Sequence, residues 1–247
     1  SDFGGGKVEI CIPYTPEPDE KEEAIVVYYV DDSGALQTVR GRYDSKTGLV
    51  KFTVTHFSKY VIGYNEVIFN DVDTDAWYNS AVSFAAARGI VQGMGGGRFA
   101  PEESIKRADF LIIVMNSFGI ELDEHITQNF IDAGDKYYTP YLGTAKRIGL
   151  VLGMDGNRFA PEEQISRQDM LLILYRALII LDELPEGSTG RTLQDFADAE
   201  DIEIYAKEAI NHFVETGIIE GSEGRLLPKA TSTRAQAAQV LYNLLTK

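Results

Sequence analysis

One cysteine, three histidines and one tryptophan occur in 247 residues, and each scarcity closes a class of chemistry. A lone Cys11 forms no internal disulfide and supports no cysteine metal site. It lies in an alternating stretch and reads as a plain strand residue. His56, His125 and His212 fall at unrelated places, so no histidine metal cluster or nucleophile–base pair is visible; His56 and Ser58 have no acid near them. Basic side chains are also short, 23 Lys and Arg against 38 Asp and Glu, which gives a net charge of −15. Such a surface argues against a nucleic-acid backbone as partner and fits a secreted or surface-exposed protein. No apolar run approaches the roughly 20 residues of a membrane span; residues 110–115 and 171–174 read as buried helix faces. The chain opens on Ser1 without a leader-like segment, so it is expected to be a fragment or a processed product. The glycine-rich loops lack the Lys-Ser/Thr of a phosphate-binding loop. Asp71-Val72-Asp73-Thr74-Asp75 imitates a calcium loop, but Ala76 and Val82 stand where Gly and Glu are needed. No cofactor and no metal are therefore expected.

What is present falls into two textures. Up to Asn65 the hydrophobic period is two. Val8, Ile10 and Ile12 alternate with Lys7, Glu9 and Cys11, and further strands are expected over 24–30, 36–43, 49–55 and 59–64. Asp31-Asp32-Ser33-Gly34 and Asp44-Ser45-Lys46-Thr47-Gly48 are turns. This is a small antiparallel β domain, residues 1–65, marginal as a sandwich and expected to close a larger β domain.

Past Asn65 the period becomes about 3.6 and the chain repeats itself. Arg98-Phe99-Ala100-Pro101-Glu102-Glu103 returns as Arg158-Phe159-Ala160-Pro161-Glu162-Glu163 and, decayed, as Arg225-Leu226-Leu227-Pro228. Each copy follows a Phe-x-Asp (Phe69, Phe130, Phe196), an aromatic eight or nine residues later, a helix stopped by Gly-Ile or Gly-Leu, and a glycine-rich loop. Each copy leads to an Arg that opens a second helix: Arg107, Arg167 and Arg234. First helices are expected over 76–88, 140–148 and 204–216, and second helices over 107–118, 167–181 and 234–245. One such helix–loop–helix unit cannot bury its apolar faces alone, so three must pack on each other, in a roughly threefold arrangement.

Ser166-x-x-Asp169 and Thr233-x-x-Gln236 have capping-box spacing, whereas Lys106 holds the cap position of the first repeat, so that cap is expected to be missing or shifted to Ser104. An Arg at the first helical residue opposes the helix dipole by roughly 0.3–1 kcal/mol. Its use three times implies that an anion, such as a carboxylate held by backbone N–H groups and the guanidinium, belongs there.

These residues resemble three S-layer homology modules, at 66–120, 121–182 and 183–247. The β stretch before them resembles segments preceding wall-anchoring repeats in large secreted bacterial proteins. The resemblance implies an α+β multidomain chain, with the small antiparallel β domain followed by an all-α pseudo-threefold bundle. It further implies grooves between modules that bind secondary cell-wall polysaccharide, of the pyruvylated N-acetylmannosamine type, on a bacterium with a thick peptidoglycan wall. Carried over position by position, the carbohydrate-binding residues are Asp71, Trp77, Gly97 and Arg107; Asp132, Tyr138 and Arg167; and Asp198, Tyr205, Gly224 and Arg234. The second loop departs from the pattern with Asn157, and only the first repeat keeps a Trp. The bland readings are that Trp77 is core, that the three Asp are caps or loop braces, and that the Arg are salt-bridge donors.

The function expected from this is non-catalytic anchoring of a larger secreted protein at the cell wall. The alternative is a self-assembly or protein-interaction module that contacts neighbouring surface-layer copies. An enzyme is disfavoured because no acid/base carboxylate pair stands out.

Overall fold

Six strands are followed by six helices in the computed structural model, which describes residues 6–247. The chain is α+β and divides into two units: residues up to Pro101 with Leu241–Lys247, and Glu102–Val240. The strands are β1 (Val8–Pro13), β2 (Ile25–Val30), β3 (Leu36–Val39), β4 (Gly41–Asp44), β5 (Leu49–Val54) and β6 (Lys59–Tyr64). The helices are α1 (Asn79–Ala87), α2 (Arg107–Ser117), α3 (Thr139–Arg147), α4 (Arg167–Ile180), α5 (Lys207–Glu215) and α6 (Arg234–Thr246).

In the first unit the strands form two antiparallel three-stranded sheets, ordered β1-β5-β4 and β3-β2-β6. Their inner faces share one core of Ile25, Val27, Val50, Phe52 and Val54, with Ile10, Ile12, Tyr43, Tyr60 and Ile62 packed around it. The expected single strand over 36–43 is two strands that belong to different sheets. Val39 pairs with Val27, and two residues later Gly41 pairs with Phe52. The crossing needs glycine: a Cβ on Gly41 would lie 2.8 Å from the Phe52 Cβ and 3.0 Å from the Lys51 carbonyl oxygen. Period two continues through a sheet switch, so alternation alone does not reveal it.

Arg88, at the end of α1, fastens this crossing. It is only 8% exposed, and among the described residues it forms no salt bridge. Nε and Nη2 donate to the Gly41 carbonyl at 3.2 and 3.0 Å, Nη2 to Ile25 O at 2.8 Å, and Nη1 to Glu23 O and Phe84 O at 2.7 and 3.1 Å. The guanidinium carbon stacks 3.5 Å over the Phe84 ring. Burial pulls its pKa down to about 9, so it remains charged at neutral pH. Four carbonyls from β2, β4, the approach to β2 and α1 thus depend on one side chain. In the same unit Asn65 Nδ2 donates to Ala87 O at 2.6 Å, a second tie between the strand region and α1.

The first helices stop where the glycines require: Gly89, Gly149 and Gly217 have φ of 67°, 77° and 68°. Two begin later than their patterns suggest. A turn at 76–79 precedes α1, and a 3-10 turn at Ile204–Ala206 precedes α5. In the second unit three extended stretches close a ring through their backbones. Ile105 N–H donates to Ser232 O (3.0 Å), Ser232 N–H to Ile165 O (2.9 Å), and Ile165 N–H to Ile105 O (3.0 Å). Each stretch runs within two residues into α2, α4 or α6, so the ring fixes where three helices begin. All three ring side chains are buried, and the Ser232 hydroxyl has no hydrogen-bond partner.

Two stability outcomes follow. Arg88→Met orphans four carbonyls and is expected to cost roughly 2–5 kcal/mol in urea denaturation; a loss below about 1 kcal/mol would show that the clamp is dispensable. Ser232→Ala removes an unpaired buried hydroxyl and should stabilise by about 1 kcal/mol, and a lowered unfolding midpoint would contradict this.

Candidate functional site

The repeated stretch turns sharply just before its proline. Ala100, Ala160 and Leu227 have φ of 60°, 58° and 54°, a left-handed conformation that residues with a Cβ adopt at a cost of roughly 1–2 kcal/mol. Each turn is held by a carboxylate from earlier in the same repeat. Asp71 accepts Phe99 N–H at 2.7 Å on one oxygen and Ala100 N–H at 2.8 Å on the other. Asp132 does the same for Phe159 and Ala160 at 2.9 and 2.8 Å. Asp198 does so for Leu226 and Leu227, both at 2.8 Å. All three aspartates are therefore loop braces.

The residues before the turn close the same loop. Gly97, Asn157 and Gly224 all have positive φ (73°, 58° and 71°). Their carbonyls accept N–H groups of Asn70, Ile131 and Ala197 at 2.9–3.0 Å. Asn157 stands in for glycine because asparagine tolerates this region. Its side chain is fixed by Lys146 Nζ at 2.6 Å and by donation to Asn129 O at 3.2 Å.

The helix starts correct one expectation. The N–H groups of the first helical turn do not await an anion, because they already donate to carbonyls of another repeat. Arg107 and Ala108 donate to Glu163 O and Pro161 O, Arg167 and Gln168 to Ala230 O and Pro228 O, and Arg234 to Glu103 O, all at 2.9–3.1 Å. This also explains why α2 dispenses with a side-chain cap. Lys106 makes none, and Ser104 turns its hydroxyl to Thr231 Oγ1 at 3.3 Å instead of capping. Ser166 Oγ does accept Asp169 N–H, and Thr233 with Gln236 forms the full reciprocal box at 3.2 Å each way.

The arginines meet different partners. Arg107 is buried, stacks 4.9 Å over the Phe159 ring and donates through Nε to Phe159 O at 2.9 Å. Its Nη1 reaches Asp169 Oδ2 at 2.6 Å. The other oxygen of Asp169 accepts Tyr205 OH at 2.9 Å. Burial and this bond to Asp169 push the Tyr205 pKa up to about 12. Arg107, Asp132 and Tyr205 are thus brought to one neighbourhood, Asp132 through the Phe159 loop that it braces. The Arg167 guanidinium shares a cleft with Arg225, Leu226 and Leu227, the loop braced by Asp198. In both cases the arginine of one repeat meets the braced loop of the next. Arg234 is buried.

The aromatic positions divide. Trp77 is 61% exposed, stands edge-on to Tyr78 and is not core. Tyr205 is half-exposed. Tyr138, however, is only 4% exposed and occupies the N-cap position of α3, as Tyr78 does for α1. The counterpart of Trp77 is Tyr137, 60% exposed and edge-on to Tyr138. Its hydroxyl donates to Asp109 Oδ1. Counting forward from the Phe selects Tyr138. Counting back twelve residues from Gly89, Gly149 and Gly217 selects Trp77, Tyr137 and Tyr205, because the helix length is constant while the approach to it is not.

The braces predict an acid dependence. Burial raises the pKa of Asp71 and Asp132, but the two backbone N–H donors outweigh it and leave both below the ordinary 3.8. A carboxyl depressed on folding stabilises fully above its unfolded pKa, and that stabilisation is lost as pH falls through the folded value. Asp71→Asn with Asp132→Asn should lower stability by roughly 1–3 kcal/mol per site at pH 7, with the gap to wild type narrowing below about pH 4. Thermal melts across pH 2–7 check this, and a gap that does not change with pH would rule the braces out as its source.

Comparison with known proteins agrees with this repeat structure. The S-layer homology domain matches residues 68–111, 130–171 and 195–238. Amylopullulanase of Thermoanaerobacterium thermosulfurigenes is 30% identical over 243 residues, covering 97% of this chain and 13% of that protein. Exoglucanase XynX of Acetivibrio thermocellus is 32% identical over 184 residues, 73% of this chain and 16% of its own length. S-layer protein sap of Bacillus anthracis is 30% identical over 173 residues, 70% of this chain and 20% of its own. The chain thus spans a fifth or less of these relatives, and the alignment to the amylopullulanase takes in the β strands as well as the repeats. With three matches that together cover more than half of its residues, this chain belongs to the S-layer homology domain family.

Proposed function

We propose that this segment is a non-catalytic anchor that binds secondary cell-wall polysaccharide in grooves between three modules, 66–120, 121–182 and 183–247, arranged as a pseudo-threefold bundle after the β domain of 1–65. As a member of its family the chain is associated with the bacterial cell surface. The observation that carries the reading is the aromatic two residues before each first helix: Trp77, Tyr137 and Tyr205 remain at least half exposed in all three repeats. An exposed aromatic costs hydrophobic free energy, and its repetition fits stacking on sugar C–H faces. The helix-opening arginines support it, since Arg107 and Arg167 each reach the loop of the following repeat. Pyruvylated N-acetylmannosamine suits this set, because its ketal carboxylate matches a guanidinium fork. The aspartates Asp71, Asp132 and Asp198 and the loop residues Gly97 and Gly224 contribute by holding the groove walls.

The relatives favour location over catalysis. A segment similar to this one occurs in proteins named as an amylopullulanase, an exoglucanase and an S-layer protein. What such different proteins have in common is better explained by where they are held than by a reaction.

Binding to purified cell walls, before and after chemical removal of the non-peptidoglycan polysaccharide, tests the proposal. Sedimentation with the walls is expected to fall at least roughly tenfold after removal. Undiminished binding to stripped walls would point to peptidoglycan or protein contacts and sink the anchor reading.

A further inference from the structure

A cleft of about 390 Å³ opens within the first unit, and its two walls carry opposite charge. One wall is the 3-10 turn before β2, which brings Glu22 and Glu23. The other is β4 and the turn after it, which bring Arg42 and Lys46. Phe84 of α1 and Tyr242 of α6 lie between them. The volume is at the small end of the roughly 300–1,000 Å³ of small-molecule sites. The cleft shares no residue with the glycan grooves proposed above, and it stands whether or not that reading does.

Arg88 holds the two walls in place. Its Nη1 donates to Glu23 O, and its Nε and Nη2 donate to Gly41 O, so one guanidinium fixes the backbone of both. It lies 3.5 Å over the Phe84 ring, and Tyr242 stands edge-on to that ring with centroids 5.3 Å apart. The gap is therefore set by packing, not by the charges that line it. Those charges do not meet. Among the described residues Glu22, Glu23, Arg42 and Lys46 form no ion pair, and the Arg42 guanidinium makes only a long 3.4 Å bond to Lys247 O. Asp44, beside them, is spent: Lys51 Nζ at 2.9 Å and Lys46 N–H at 3.1 Å take its two oxygens, and the bond from Lys51 leads in holding its pKa at about 2. The Tyr242 ring is half-buried, yet its hydroxyl has no hydrogen-bond partner among the described residues. Burial raises the Tyr242 pKa, Glu23 and Glu22 add to the rise, and Arg42 and Arg88 oppose it, so this side chain senses both walls.

We propose that this cleft binds a free short peptide, of about dipeptide size, by both of its charged ends. The ammonium end would donate to Glu22 and Glu23, and the carboxylate end would accept from Arg42 and Lys46, in charge-assisted bonds. An apolar side chain between the ends would lie on Tyr242 and Phe84, and the Tyr242 hydroxyl would donate to the peptide carbonyl. A simple anion or cation would satisfy one wall and face repulsion from the other. A neutral sugar would match neither charge. A dipolar ligand satisfies both at once.

Calorimetric titration of the full chain with the dipeptide leucyl-alanine tests this, against its N-acetylated form and its C-terminal amide. Wild type is expected to bind the free dipeptide with a Kd of about 1 mM or tighter, and each blocked form at least roughly tenfold more weakly. Glu22→Gln combined with Glu23→Gln, and separately Arg42→Gln, should each weaken the free dipeptide roughly tenfold and leave binding to purified wall polysaccharide unchanged. If Arg42→Gln melts early, the glutamate pair still decides, because the backbone carbonyl of Glu23 that Arg88 holds is untouched. No binding of the free dipeptide, equal affinity for either blocked form, or wild-type affinity in the glutamate pair would each overturn the proposal.

Discussion

The carboxylate that grips two successive backbone N–H groups is the interaction on which each repeat depends. Without it a left-handed alanine or leucine directly before a proline has little reason to persist, since the conformation is unfavourable and the proline removes a donor. With it, the turn aims the chain so that the next few residues extend, and in the second unit those extended stretches find each other's carbonyls. The helix starts are then capped by main chain from another repeat. This is why Lys106 is tolerated at a cap position and why the lettering of the stretch can decay to Arg-Leu-Leu-Pro: Asp198 supplies the same two bonds whatever side chains follow.

A protein this acidic has few cations to spend, and it buries several of them in contrasting ways. Arg88 is held by four backbone carbonyls and the face of Phe84, which suits a structural clamp. Arg107 is solvated by a carbonyl and a carboxylate and becomes part of the packing between repeats. Arg167 is partly buried, and its Nε is left without an acceptor. Desolvation burdens all three, and the difference lies in what compensates: the backbone at Arg88, a neighbouring repeat at Arg107, and no hydrogen-bond acceptor at Arg167 Nε.

Much of this architecture was legible in the residues, and the failures are of one kind. The 3.6 period, the Gly stops and the helix-opening arginines gave helix limits within a few residues because each is a local signal. The strand at 36–43 was misread because a sheet switch leaves alternation intact, and only the crowding at Gly41 betrays it. A count from the Phe selects Tyr138 because it crosses a stretch of variable length, whereas the first helices are all nine residues long and a count back from their Gly stops selects Tyr137. The backbone N–H groups at the three helix starts meet carbonyls of another repeat, and the Arg107 guanidinium meets Asp169. No local pattern records that, since donor and acceptor lie far apart in the sequence and belong to different repeats.

The repetition itself carries a final consequence. Three copies of one unit present three copies of each functional group, so any inequivalence must be introduced by single residues at matched positions. Position 169 against 236 is such a pair, differing by one charge and an amide. The scaffold is indifferent to the exchange: both residues sit at the third helical position, and both leave the start of the helix hydrogen-bonded.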